Sequence, residues 1–195
     1  MAGWCAAPDI DELLKHLARP APAATPFVEA HFSRLLARPL VVSGKLEYLG
    51  PDALARTIES PYHEHTEIHG DAVTVARESD KVRQFSLQHA PEMKSLLGSF
   101  AALLSGDAAG LHREFDLDVQ GEPEAWTLTL TPHDAHVRRR VLSISVSGEQ
   151  AQPRCLITRE PNDNTTVMLV GQAAQTPLPA AVDRAWLEAQ CSKHE

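Results

Sequence analysis

Histidines at alternating positions are the first residues in this chain that could carry chemistry. His63, His65 and His69 lie close to Glu64 and Glu67, and imidazole and carboxylate groups are common metal ligands. The Glu between the second and third histidines does not have the zincin spacing, and the segment alternates like a strand rather than a helix. His63 and His65 would share one strand face, so a metal site and a solvated strand face both stay open, with the second favoured.

A run of arginines forms the one basic cluster of the sequence. Arg138, Arg139 and Arg140 follow His133 and His136 at a turn between two predicted strands. A cluster of this kind is suited to docking an acidic partner or anionic headgroups, and it is also typical of a solvated hairpin tip. The sequence leaves both interpretations open.

Patterns that indicate catalysis are missing. The chain has no Gly-x-Ser-x-Gly elbow, no phosphate loop, and no Ser or Cys in a recognisable setting with His and Asp. Cys5, Cys155 and Cys191 are an odd number at unpatterned spacing, so at most one disulfide is expected and no zinc set. We therefore predict a protein without enzymatic activity, metal or cofactor.

Size and charge narrow the function classes. The chain has 195 residues, which predicts a single domain over residues 1–195. Its net charge of −8 at pH 7 disfavours a phosphate-binding surface, so nucleic acid is not an expected partner. Its apolar runs are far shorter than the ~20 residues needed to span a bilayer.

The elements that must position any site are mainly strands. In Trp126–Thr131 and Leu142–Ser147, apolar residues alternate with hydroxyl residues, which places the two sets on opposite faces of a strand. Similar strand signals, separated by turn residues, recur along the chain and predict an antiparallel meander of about eleven strands. The predicted strands are Phe27 to Leu36, Leu40 to Leu49, Ala53 to Glu59, His63 to His69, Ala72 to Arg77, Val82 to Leu87, Phe115 to Gln120, Trp126 to Thr131, Val141 to Gly148, Arg154 to Glu160 and Thr166 to Gly171.

Three helices are predicted, the central one from Pro91 to Ser105. Pro91 suits its first turn and Gly106 its end. A first helix, capped by Asp9 or Asp11, and a last short helix flank the meander. The apolar stripes of the three helices are Ile10, Leu13, Leu14 and Leu17; Met93, Leu96, Leu97, Phe100 and Leu104; and Val182, Trp186 and Leu187.

The order of these elements and several local motifs resemble the periplasmic lipoprotein carrier family, the LolA-like proteins, from Ile10 to Gly171. No single motif is specific, but their order and spacing together carry the resemblance. The motifs are Phe27–Phe32, Ser43–Tyr48, Glu59–Tyr62, Ile68–Asp71, Leu103–Asp107 and Trp126–Pro132.

The resemblance implies a mainly β (α+β) fold: an open, strongly curved antiparallel sheet, close to half a barrel, with a helical lid over an apolar cavity. It also implies a monomeric carrier that takes acyl chains of lipoproteins from an inner-membrane transporter to an outer-membrane acceptor. Typical members have an Arg-Pro pair after the second strand, and that Arg holds the lid. Here the pair is Gly50-Pro51, so the latch is different or absent.

Alternation and the helix stripe predict which residues line such a cavity. Each of them is also suited to an ordinary core. The predicted cavity residues are Phe32, Val42, Leu46, Tyr48, Ile58, Val73, Val75, Phe85, Leu87, Met93, Leu96, Leu97, Phe100, Leu104, Phe115, Leu117, Trp126, Leu128, Leu130, Leu142, Ile144 and Val146.

The remaining expectations concern the compartment, which the beginning of the chain indicates, and the alternative functions, which the departure at the latch leaves open. Residues Met1 to Pro8 are rich in small residues, which together with the resemblance predicts a periplasmic protein whose signal peptide has been removed. Alternative functions are a carrier for a non-lipoprotein lipid or a polyene pigment intermediate, and an envelope sensor or adaptor without transport. An enzyme is the least favoured class.

Overall fold

An open antiparallel sheet of eleven strands forms the body of the protein. The computed structural model describes residues 9–78, 80–89 and 101–192. In these residues the strands are β1 (Ala23–Phe32), β2 (Leu40–Gly50), β3 (Ala53–Ser60), β4 (Glu64–His69), β5 (Ala72–Arg77), β6 (Arg83–Ser86), β7 (Phe115–Glu122), β8 (Ala125–Pro132), β9 (Ser143–Glu149), β10 (Gln152–Arg159) and β11 (Thr165–Val170). The strand order is β6-β5-β4-β3-β2-β1-β11-β10-β9-β8-β7. The sheet consists of two meanders, β1–β6 and β7–β11, joined where β1 pairs with β11. Because β6 and β7 are the edges, the predicted open antiparallel sheet of eleven strands is confirmed.

Short helices accompany the sheet. They are α1 (Ile10–Leu17), α2 (described over 101–105), α3 (Ala108–Glu114), α4 (Ala135–Arg138) and α5 (Arg184–Cys191). The N-cap of α1 is Asp9, whose Oδ1 accepts hydrogen bonds from the backbone N–H groups of Asp11 at 2.9 Å and Glu12 at 3.2 Å. The predicted first helix is therefore confirmed, with Asp9 as its cap.

The predicted central helix can be followed only in its last turn. Residues 101–105 are helical, and the helix ends at Gly106, whose φ of 73° is the left-handed conformation typical of a helix end. Met93, Leu96, Leu97 and Phe100 lie outside the described residues. The short α3 follows, and its N-cap Asp107 accepts from Gly110 N–H at 2.9 Å.

Two layers of core lie on opposite faces of the sheet. We call the face that carries Trp126, Leu128 and Leu130 the inner face, and the other the outer face. On the inner face, α1, α2 and α3 pack against β7 to β10 in one cluster of buried residues, namely Leu13, Leu14, Leu17, Leu103, Leu111, Phe115, Trp126, Leu128, Leu130, Val141, Ile144 and Val146. The helices therefore cover the half of the inner face that β7 to β10 form.

The outer face is polar at β8 and β9 but apolar in its centre, where α5 covers it. Leu187 of α5 packs against Ala30, Val167 and Leu169. A disulfide joins Cys155 of β10 to Cys191 of α5, with the two Cα atoms 5.2 Å apart. The disulfide holds the last helix on the sheet.

Candidate functional site

The inner face is mainly apolar over β7 to β11, and over β3 to β6 it also carries charged side chains, among them Arg56, Glu64 and Arg77. Strand register aligns one row of side chains across β7 to β11, because each is the partner of the next. The row consists of Val119, Leu128, Val146, Leu156 and Met168. Alternation along each strand extends the same surface to β6, where Phe85 is paired with Val73. An acyl chain requires a surface of this kind.

Most of the residues predicted for the cavity share this face. Whether they bind a lipid stays a prediction. The inner-face residues are Val42, Leu46, Tyr48, Ile58, Val73, Val75, Phe85, Phe115, Leu117, Trp126, Leu128, Leu130, Ile144 and Val146. Leu87 follows β6 in a short 3₁₀ turn and is buried. Leu104 is partly buried, while its neighbour Leu103 enters the cluster beneath the helices.

Phe32 is a correction, because it lies on the outer face. Phe27 is the partner of Val170 on the inner face, so alternation turns Phe32 to the other side, where it packs near Ala30 and Val167. The prediction assumed that Phe32 belongs to the set of alternating β1 residues that faces inward. Here α5 makes the outer face apolar as well, and both parities of the strand carry apolar residues.

Leu142 is a second correction. Its side chain is 48% exposed and precedes β9, whereas Val141 is 5% exposed and belongs to the inner cluster. The backbone N–H of Val141 donates to Val137 O at 2.8 Å. This turn at the end of α4 breaks the alternation one residue earlier than the sequence pattern indicates.

The inner face has a second half, over β1, β2, β3 and β11, whose buried cluster contains strand residues only. Phe27, Val42, Ile58 and Val170 form that cluster, with Leu46, Leu156 and Met168 packed against it. Phe85, on the β6 edge of the same face, is 44% exposed. In the described residues, the helices of the inner cluster thus pack on the β7 to β10 half.

A half-buried ion pair, which the sequence reasoning missed, interrupts this half of the inner face. Arg56 Nη2 donates to Glu29 Oε1 at 2.8 Å, and the guanidinium lies 5.0 Å from the centre of the Phe27 ring. Burial raises the pKa of Glu29 above its usual value, although the charge and hydrogen bond of Arg56 oppose this shift. Arg56 Nε is buried and has no hydrogen-bond partner among the described residues. A charged residue between apolar ones in β1 was the available signal.

The histidines do not converge on a metal site in the described residues. His65 Nδ1 lies 2.9 Å from Thr57 Oγ1, and His69 Nε2 lies 2.7 Å from Glu67 Oε1. His63 precedes β4, and no group of three or more potential ligands forms in the part of the chain that the structure describes. The arrangement fits an exposed strand face.

A cleft of about 440 Å³ lies beside the start of α1 at the free edge of β7. Its apolar wall consists of Ile10, Leu117 and Val119. Acidic residues and His112 also line the cleft, and His112 Nε2 lies 3.4 Å from Asp11 Oδ1. Leu117 is the one predicted cavity residue that borders this cleft. The cleft therefore lies at the β7 edge of the inner face.

Comparison with models of known families shows which family the chain belongs to. The model of the family described as outer membrane lipoprotein carrier protein LolA-like matches residues 2–193. The chain belongs to this LolA-like family. Proteins of the family bind lipoproteins and lipids in the bacterial envelope and act as carriers or binding proteins rather than as enzymes. The resemblance seen in the sequence is thereby confirmed.

Solved structures with a similar fold are distant in sequence. A LolA superfamily protein from Nitrosomonas europaea is 10% identical, with 89% of this chain and 96% of that chain covered and a TM-score of 0.49. A lipoprotein-sorting protein domain from Vibrio parahaemolyticus is 10% identical, with 87% and 94% covered and a TM-score of 0.42. The Pseudomonas aeruginosa MucA/MucB complex matches at 12% identity, with 93% and 62% covered and a TM-score of 0.43. None of the curated proteins compared matches this LolA-like chain.

Two further observations concern the end of β2 and the described helices of this LolA-like protein. Gly50, in the place where typical members carry the latch arginine, ends β2 with a φ of 153°. Among the described helices, none has the length and apolar character to cross a membrane.

Proposed function

We propose that this protein is a monomeric, single-domain periplasmic carrier that binds acyl chains of lipoproteins or lipids on its inner face and shuttles them toward the outer membrane. The observation that supports this proposal most directly is the extent of the apolar side chains on the inner face. They continue from the helix-covered cluster on β7 to β10 through a second cluster on β1, β2, β3 and β11 to Phe85 at the β6 edge, which is 44% exposed.

Binding on such a face requires no catalytic group. Burial of an acyl chain contributes about 0.8 kcal/mol per CH₂ removed from water, so a row of apolar strands holds a lipid by area alone. Val75 and Phe85 extend the surface to the sheet edge. The affinity is then set by the length of the acyl chain that the inner face covers.

The lid of the proposal is the helix predicted from Pro91 to Ser105. Its described last turn is anchored by Leu103 in the inner cluster and by Leu104 O, which accepts from Arg19 N–H at 2.8 Å. Release follows when the lid closes on the strands or a more apolar acceptor takes the chain. The donor is an inner-membrane transporter and the acceptor an outer-membrane receptor.

The disulfide supports the proposed compartment. Bonds such as Cys155–Cys191 persist in oxidising compartments, including the bacterial periplasm, and are rare in the cytosol.

A second candidate is a carrier of a different cargo, such as a non-lipoprotein lipid or a polyene pigment intermediate. Gly50-Pro51 in place of the latch pair favours it, because transfer by the usual partners depends on a controlled lid. Mass spectrometry of extracted, co-purified amphiphiles separates the two cargoes.

Phe85→Asp tests the proposal with little disturbance of the core. Phe85 is 44% exposed, so a charge there should cost little stability but should weaken uptake of a fluorescent fatty acid about tenfold. Gln84→Asp is the matched control, since Gln84 is exposed on the opposite face of the same strand. The proposal fails if the purified protein contains no amphiphile and takes up no fatty acid, or if both variants bind it as well as the wild type. A protein partner captured without lipid would instead favour the sensor or adaptor alternative.

A further inference from the structure

Exposed apolar side chains concentrate at one end of the sheet. The turns 33–39, 61–63, 80–82, 133–142 and 160–164 all lie at this end, because each joins the same ends of neighbouring antiparallel strands; we call it the rim. Of the large exposed apolar side chains in the described residues, those at the rim are Leu35, Leu36, Leu40, Tyr62, Val82 and Leu142. Leu49, at the opposite end, Phe85 and Leu178 complete the set.

The turn between β1 and β2 is the most apolar point of the rim. Leu35 is 94% exposed and Leu36 is 43% exposed. Single exposed apolar residues scattered over a surface are ordinary, but adjacent leucines at the tip of a turn, with further apolar tips beside them, indicate a contact surface.

Charge is also asymmetric along the strand direction. Arg34 and Arg38 flank the leucine pair, and the Arg138–Arg140 cluster precedes Leu142. The hairpin turns of the opposite end carry Asp52, Asp71 and Glu124 and no Lys or Arg. The rim turns also carry Asp80, Asp134, Glu160 and Asp163, but these four acidic residues are outnumbered by six Lys and Arg residues. Although the whole chain has a net charge of −8, the rim therefore presents cations next to its apolar tips.

Most of these cations are available to a partner. Arg38, Arg139 and Arg140 are exposed, and no ion pair joins any of them to a described residue. Arg34 Nη2 lies 3.6 Å from Asp163 Oδ2 on an exposed surface, where such a pair is weak. A bound anionic group would gain these contacts without first breaking a buried one.

We propose that the rim docks on the surface of a bilayer that contains anionic phospholipid, with Leu35 and Leu36 inserted among the headgroups and the arginines on the phosphates. Apolar tips on separate turns can each enter the interface, and the adjacent arginines are placed to meet the phosphates. Membrane-surface binding combines this insertion with attraction between cations and anionic lipids. The inference goes beyond the proposed carrier function, because it does not depend on cargo.

Sedimentation with vesicles tests the rim. The full chain should bind vesicles of phosphatidylglycerol and phosphatidylethanolamine, bind less as salt rises, and bind phosphatidylcholine vesicles weakly. The double variant L35S/L36S should lower the partition coefficient about tenfold or more. Leu49→Ser is the matched control, an exposed leucine at the opposite end of the sheet.

The arginines provide an independent arm. R139S/R140S should lower binding to the anionic vesicles by about fivefold per arginine while leaving binding to phosphatidylcholine unchanged. Unchanged melting temperatures show that both double variants fold, and unchanged fatty acid uptake separates the rim from the inner face. The proposal is overturned if the wild type does not bind anionic vesicles, if L35S/L36S binds them as well as L49S, or if the chain attaches only to membranes that contain a receptor protein.

Discussion

At the scale of single residues, the Glu29–Arg56 pair is the least expected feature of the inner face. Two charged side chains lie next to the apolar cluster of Phe27, Val42 and Ile58, and a hydrogen bond of 2.8 Å joins them. Loss of one partner leaves an uncompensated charge in a poorly solvated place. The pair therefore affects stability mainly through the cost of losing one partner.

Arg56→Met should destabilise the protein by about 2 to 3 kcal/mol, below the range for fully buried pairs because Arg56 is partly exposed. The double variant E29Q/R56M should recover part of that loss, since neither charge remains. Urea unfolding of the wild type, both single variants and the double variant gives the coupling free energy. A value near zero would mean that water already solvates both groups.

Glu29 also makes a prediction about pH. Because burial raises the pKa of Glu29 in the folded state, the folded protein binds more protons than the unfolded chain, so its free energy of unfolding falls as pH rises from about 4.5 through the raised pKa. Glu29→Gln should remove this part of the slope. The measurement is urea unfolding at a series of pH values, and equal slopes for wild type and variant would show that Glu29 is not the source of the pH dependence.

At the scale of elements, close contact between strands limits the size of the side chain that a position can hold. Gly44 of β2 lies so close to β3 that a Cβ there would be 1.9 Å from Thr57 O. The register between the two strands shifts at Ser43/Gly44, so an irregular pairing brings the backbones together.

Gly44→Ala should lower the free energy of unfolding by about 1 to 3 kcal/mol, because the added methyl group forces the two backbones apart. Ser43→Ala, one residue away on the outer face, is the control and should be nearly neutral. Thermal or urea unfolding measures both, and a neutral Gly44→Ala would show that β2 and β3 move apart freely.

The last helix depends on its covalent link. Replacement of Cys155 and Cys191 by Ser should lower stability by about 2 to 4 kcal/mol, because the disulfide closes a separation of 36 residues. Fatty acid uptake should persist, since α5 packs on the outer face. Urea unfolding with and without reductant measures the first effect, and loss of uptake at full folding would place cargo on the outer face instead.

At the scale of the whole molecule, binding and stability are linked. A ligand that binds only the folded protein raises its stability by about 2.7 kcal/mol when its free concentration is about 100 times Kd. An acyl amphiphile should therefore raise the melting temperature of delipidated protein, and Phe85→Asp should reduce that rise while Gln84→Asp leaves it unchanged. If the ligand raises the melting temperature equally in all three proteins, the β6 edge is not part of the binding surface.

What the sequence by itself determined is largely local. The alternation in β8 and β9, the Asp9 cap of α1 and the helix end at Gly106 depend on neighbouring residues, so they could be predicted. The strand signals also predicted the antiparallel strands, and their order together with the local motifs carried the resemblance to the family, which implied the open sheet.

Tertiary structure alone decided what depends on distant partners. Phe32 faces outward because α5 covers that side, and Val141 replaces Leu142 in the core because α4 turns the chain. The pairing of Cys155 with Cys191, and of Glu29 with Arg56, joins residues far apart in sequence. A period of two places side chains on two faces but does not say which face will be covered, and that choice is made only when the helices pack on the sheet.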